Sequence, residues 1–256
     1  MIRTFPRIPV FAGILMLVSL PGCSVLEDRD LCPTQLLLQF PPLDAPAVVV
    51  VESAQGRLVD TLAVGISDFR TFVPRGPVRV SAACPPAGFD AQRVQLPVPL
   101  GSDCPEILLF SRFYELSGEI QRDSLSWRKH FCRLDLQMIC RMGAPPYAFA
   151  VSGEVSGVDA DGVPLPGAFR CSVRPDASGR CRICLPRQAD ASLMLEIWAD
   201  GSPVSSFALG EFLAAAGYDW TAEDLADTVV EVDYVQTSMT FRYRGWTETF
   251  RFDVVI

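Results

Sequence analysis

The sequence predicts an all-β chain of two tandem β-sandwich domains, with short helices in the second. From Thr34 onward, apolar and polar residues alternate in short runs, the spacing that sends every second side chain to one face of a strand. The runs are close together and broken by turn residues, among them 21 prolines and 18 glycines, a pattern that suggests sandwiches. Apolar residues make up 49 % of the chain and charged ones only 20 %, so packed cores are within reach over its whole length.

The N-terminus predicts an export signal over residues 1–22. Arg3 and Arg7 give it a positive start, and residues 10–20 are an apolar run. A spanning helix needs about 20 apolar residues, and this run is too short. It ends in Leu20-Pro21-Gly22-Cys23. Leu-x-Gly-Cys resembles a lipobox, which would place cleavage between Gly22 and Cys23 and acyl chains on Cys23. Lipid there makes the chain membrane-anchored, since several acyl chains hold far more tightly than one. Residues 23–33 read as a polar, acidic tether, with Glu27, Asp28 and Asp30 behind the cysteine. Such an acidic patch also resembles the surface-export signal of some Gram-negative lipoproteins.

Strands are expected at residues 35–40, 47–52, 58–64, 69–73, 78–83, 93–98 and 107–116, forming a first sandwich over residues 34–122. Polarity rises across residues 117–128, the best place for a linker. A second sandwich over residues 123–256 is expected from runs at 131–139, 147–155, 168–173, 181–185 and 193–198. Asp161-Gly162 and Asp200-Gly201 fall between runs and predict tight turns. Residues 211–216 predict a helix stopped by Gly217, and Thr221-x-x-Asp224 predicts a second short helix with a capping box. The end predicts a hairpin: Met239, Phe241 and Tyr243 alternate with polar residues, Gly245 permits the turn, and Phe250, Phe252, Val254 and Ile256 share one face of the last strand.

The formal charge is −8, and losing Arg3 and Arg7 with the signal moves it to −10. A chain this acidic lacks the clustered Lys and Arg that nucleic acid requires. Nine cysteines leave eight after Cys23, in a compartment where disulfides persist. Cys132 and Cys140 would lie about 26 Å apart along one strand, too far to bond. Cys171 and Cys181 flank the turn at 175–179 symmetrically, so either a cross-strand disulfide or two small buried thiols fits them.

No constellation predicts catalysis. His130 is the single histidine, with no nucleophile elbow to serve. One histidine also leaves only cysteines for a zinc site. Cys181-x-x-Cys184 sits in a strand-like run, whereas a redox pair opens a helix. Asp159-Ala160-Asp161-Gly162 lacks the later ligands of a calcium loop, and Glu223 and Asp224 point apart as a glycosidase pair. No phosphate-binding glycine loop, cofactor or small-molecule substrate is implied. Trp127, Trp198, Trp220 and Trp246 would stack on sugars or, more commonly, pack in cores.

The residues around Cys23 and Cys32-Pro33, followed at once by the strand at 35–40, resemble the start of the FimB-type anchor subunits of type V fimbriae. Phe149-Ala-Val-Ser-Gly-Glu-Val-Ser-Gly-Val158, Leu185-Pro-Arg-Gln-Ala189, the stretch 209–220 and Thr247-Glu-Thr-Phe-Arg-Phe-Asp-Val-Val-Ile256 carry the same resemblance. It implies two transthyretin-like sandwiches and a non-enzymatic role: lipidated at the outer membrane at the base of a fimbrium, with fimbrial shaft subunits as partners. Subunits of that system join by donated strands, in which backbone hydrogen bonds hold and alternate side chains fill pockets. Phe250, Phe252, Val254 and Ile256 would suit donation; they would equally suit a core strand of their own domain. The competing class is a lipid-anchored glycan- or protein-binding sandwich, favoured by a shallow exposed pair of aromatic side chains on one sheet.

Overall fold

A computed structural model describes residues 32–251 except 43, 141–146, 236–237 and 244. Its elements are almost all strands, as the alternation predicts. The first nine are β1 (Thr34–Gln39), β2 (Ala47–Ser53), β3 (Gly56–Leu62), β4 (Asp68–Val73), β5 (Gly76–Cys84), β6 (Gln95–Pro97), β7 (Leu108–Leu116), β8 (Ile120–Ser124) and β9 (Arg128–Lys129). They are followed by β10 (Phe131–Cys140), β11 (Tyr147–Asp159), β12 (Pro164–Val173), β13 (Arg180–Pro186), β14 (Met194–Ala199) and β15 (Ser202–Phe207). Helix α1 (Leu209–Ala215) then precedes β16 (Thr228–Val235), β17 (Ser238–Tyr243) and β18 (Trp246–Arg251).

The first half packs a three-stranded sheet, β4-β1-β8, against a five-stranded one, β3-β2-β5-β7-β9. Thr34, Leu36 and Leu38 alternate inward along β1. Leu36 and Leu38 meet Val49, Val51, Val80, Phe110 and Tyr114 from the larger sheet. Strand β2 is buried on both faces, because its other side is covered too. Val48, with Ala83 and Leu109, packs on Leu96 and on Val158 of β11, and Val50 packs on Val94 and Ala160. Segment 94–98 therefore belongs to both halves: β6 pairs with the end of β11, Val158 opposite Leu96.

The second half pairs the sheet β13-β10-β16-β17-β18 with β12-β11-β14-β15. Leu134, Leu136, Ile183, Val230 and Val232 face Phe149, Val151, Phe169, Leu195 and Ile197, and α1 plugs one end with Leu209, Phe212 and Leu213. The helix stops where expected: Gly217 adopts φ +79°, and Tyr218 N–H returns to the Leu213 carbonyl at 2.9 Å, the left-handed closure that favours glycine. Asp200 (φ 49°) and Gly201 (φ 80°) form the two-residue turn of the β14–β15 hairpin, with both central residues at positive φ as that turn demands.

Two expectations are corrected. The stretch 117–128 contains β8 and β9 rather than a linker, and β8 pairs in parallel with β1 across the boundary drawn at residue 122. The sheet changes after β9, between Lys129 and Phe131. No helix forms at Thr221: Asp219 takes the capping role, accepting from Thr221 N and Oγ1 at 2.8 and 2.6 Å, while Asp224 accepts from Lys129 N at 2.8 Å.

Candidate functional site

The residues expected to act lie at the two ends of the chain. Gly22 and Cys23 fall outside the described residues, which begin at Cys32 and Pro33 and enter β1 at Thr34. That strand is the centre of its sheet, antiparallel to β4 and parallel to β8. Its start is fastened by Thr34 Oγ1 donating to the Gly118 carbonyl at 2.6 Å and Gln35 N–H donating to the Glu119 carbonyl at 2.8 Å. A pull through the N-terminus would run along β1 and strain two ladders of backbone bonds together.

The outer face of this small sheet is partly apolar. Gln35 lies opposite Phe72 on one side and Ile120 on the other, and Leu37 lies opposite Arg70 and Arg122. Phe72 is 66 % exposed and Ile120 52 %. Among the described residues, strands β4 and β8 leave their outer edges without a partner strand in this sheet, the kind of edge that accepts an added strand.

At the other end, β18 is the edge of its sheet. The backbone of Phe250 pairs with Met239, so the hairpin forms as predicted and Phe250 is held in its own domain. Phe252, Val254 and Ile256 lie outside the described residues, and their donation is not decided by the hairpin.

Cys171 and Cys181 do not face each other across a hairpin. The turn between them carries the chain from β12, paired with β11, to β13, paired with β10, in the opposite sheet. Both thiols are buried and, like those of Cys104 and Cys184, unbonded in this structure. Burial pushes the Cys181 thiol up to about 12, so it stays protonated and a poor nucleophile. Cys184, the other end of the C-x-x-C, sits in mid-strand against Cys104 rather than at a helix start.

His130 is buried and accepts from Arg187 Nε at 3.1 Å through Nδ1. Burial, reinforced by the Arg187 charge, lowers its pKa to about 4. The ring is neutral at neutral pH and locked in a packing role. Asp159 Oδ1 accepts from the N–H groups of Asp161 and Val163, both at 2.9 Å, so it makes a turn. Glu223 and Asp224 both pair with Arg128. Among the described residues no three His, Cys, Asp or Glu side chains are grouped to hold a metal ion, and no helix is long and apolar enough to cross a membrane.

The tryptophans divide. Trp127 stacks on Phe40 at 5.2 Å and Trp220 packs on Tyr218 at 4.6 Å, both as packing groups. Trp246 is exposed on β18. Trp198 borders an open hollow of about 450 Å³ with Arg170, Arg174 and Asp200. Its ring face is taken by the Arg170 guanidinium, 5.6 Å from the centroid, which Glu196 holds at 2.5 Å. Among the described residues the exposed aromatic side chains Phe72, Phe113 and Trp246 lie on three different sheets.

No protein-family model matches the sequence, and no curated protein matches it. Solved structures do. A candidate adhesin from Bacteroides ovatus superposes with a TM-score of 0.62 at 12 % identity, over 86 % of this chain and 95 % of that one. A candidate polysaccharide-binding protein from Bacteroides thetaiotaomicron gives 0.59 at 11 %, over 86 % and 98 %. The fimbrial anchor protein Mfa2 from Porphyromonas gingivalis gives 0.62 at 11 %, over 84 % and 99 %. At such identities the likeness is one of fold: this chain is an all-β, two-sandwich protein built on the same fold as a fimbrial anchor.

Proposed function

We propose that the chain is a non-enzymatic lipoprotein at the base of a fimbrium. Lipid on Cys23 holds it at the outer membrane, and strand addition joins it to a shaft subunit. The observation that carries this reading is the fold match, which runs over 99 % of the Mfa2 anchor chain and sits behind a Leu-x-Gly-Cys signal on this chain. Four features agree with it: a tether that feeds a central strand, open edges at β4 and β8, an apolar row at Phe72 and Ile120, and an alternating C-terminal face.

A glycan-binding module is the second reading, favoured by the hollow at Trp198 and the fold shared with a candidate polysaccharide-binding protein. It is weaker, since sugar stacking needs a free aromatic face and Arg170 covers that of Trp198.

Detergent extraction of native membranes, followed by antibody capture of this chain, tests the reading. Recovery of a polymeric shaft protein with it is the expected result. Recovery of the chain alone, or with polysaccharide and no shaft protein, contradicts it.

A further inference from the structure

Cys104 and Cys184 meet where the segment joining the two halves crosses the second sandwich. Cys104 N–H donates to the Cys184 carbonyl at 3.0 Å, and Cys184 N–H donates to Asp103 Oδ1 at 2.5 Å. A direct backbone bond sets the two residues side by side, and a disulfide needs Cα atoms about 4.4–6.8 Å apart. The side chains share surroundings as well, since both belong to the buried core of the second sandwich. Cys104 Sγ donates to the Pro105 carbonyl at 3.7 Å. Both residues are buried, 3 % and 1 % exposed.

Segment 103–107 is otherwise held by Ile107, buried with Leu96 and Leu109, and by Glu106. It lies between β6, which pairs with β11 of the second sandwich, and β7, which pairs with β5 of the first. Glu106 reaches Arg133 at 2.5 Å, an exposed ion pair that holds weakly in water.

From this geometry we propose that Cys104 and Cys184 form a disulfide in the exported protein, stapling the inter-sandwich segment to β13. The inference rests on export, as the signal at residues 1–22 implies. The bond forms by exchange before the core closes. Each thiol gives up its proton, the pair gives up two electrons, and the disulfide of an oxidising thiol oxidoreductase takes both electrons and protons to become a dithiol. The product closes a loop of about 80 residues and would hold the two halves in register under tension at either end of the chain. Cys171 and Cys132 share the same core, yet neither shows a backbone bond to Cys184.

Peptide mapping of the protein purified from its native membrane tests this. Free thiols are alkylated in denaturant without reductant, and the chain is cut with trypsin. Cleavage after Arg182 separates Cys181 from Cys184, so the expected product is peptide 94–112 joined to peptide 183–187. Alkylated Cys104 and Cys184 on a chain whose signal has been removed overturn the disulfide and leave export standing, as does Cys184 joined to Cys171. Alkylated cysteines on a chain that keeps residues 1–22 overturn both. A second readout avoids variants that fail to fold: reductant should lower the melting temperature of the wild-type chain by roughly 10 °C. It should leave the Cys104→Ala/Cys184→Ala protein unmoved, and an equal drop in both would contradict the bond.

Discussion

Arg187 donates from Nε to Nδ1 of His130 across 3.1 Å and sends its two terminal nitrogens to the carbonyls of Trp220 and Glu223. One buried guanidinium thereby ties the passage between β9 and β10 to the end of β13 and to the turn at 219–224. Its removal leaves an imidazole nitrogen and two carbonyls unpartnered. Arg187→Met, which keeps the stem, should destabilise the protein by roughly 2–4 kcal/mol, read from urea unfolding followed by tryptophan fluorescence. A change under about 0.5 kcal/mol would mean the knot contributes nothing.

His130 makes stability depend on pH in a defined window. Its folded pKa, lowered to about 4 by burial and by Arg187, lies below the value near 6.5 of an unfolded histidine. Between the two, the unfolded chain binds the extra proton. The stabilising difference is complete above about pH 6.5 and disappears as pH falls toward 4, a loss of roughly 3 kcal/mol. Urea midpoints measured across that window should fall steeply for the wild type and flatten for His130→Gln. Equal slopes would contradict the assignment.

Two glycines of equal φ separate conformational strain from lack of space. Gly162 and Gly201 both sit at φ +80°, where any L side chain is strained. A methyl group on Gly201 meets nothing, whereas one on Gly162 would collide with the His130 ring. Gly201→Ala should cost about 1 kcal/mol and Gly162→Ala roughly 2–4 kcal/mol, measured side by side by thermal unfolding. Equal costs would show that the His130 ring moves aside freely.

The sequence carries the fold wherever side chains carry the pattern. Leu36 and Leu38, Leu134 and Leu136, and Asp200-Gly201 each mark their element by period or turn chemistry. Strands held by backbone alone do not. Ile120–Ser124 reads as polar linker because its bonds come from β1, some 80 residues earlier in the chain, and Ser202–Phe207 exposes four of its six residues. Strand β16 is different: Val230 and Val232 alternate with Glu231 and Asp233, a signal that could have found it. The Cys104–Cys184 approach is invisible in sequence, because only the folded path of residues 98–107 brings the two together, whereas Cys171 and Cys181, symmetric about their turn, end on two sheets that share one core.

The C-terminal strand divides at Phe250. Removing 252–256 leaves the ladder from Tyr243–Trp246 to Ser238–Arg251 intact, so the shortened protein should keep this hairpin. If those residues are donated, the shortened protein loses capture of the shaft subunit. Loss of folding would instead place them in this domain's own core, and unchanged capture would move the joint elsewhere, to the β4 or β8 edge.

The outer row at Phe72 and Ile120 offers a complementary test. Phe72→Glu lies on an exposed face and should alter stability by no more than about 0.5 kcal/mol. If a neighbouring subunit covers the small sheet, the same change weakens co-purification at least tenfold; unchanged recovery would free that face from the joint.

Intact mass of the N-terminal peptide from the native membrane bears most directly on the whole reading. The expected peptide begins at Cys23 and carries acyl chains, and Cys23→Ala releases the protein from the membrane fraction. An unmodified thiol at position 23, on a protein recovered free in the medium, would contradict an anchored subunit.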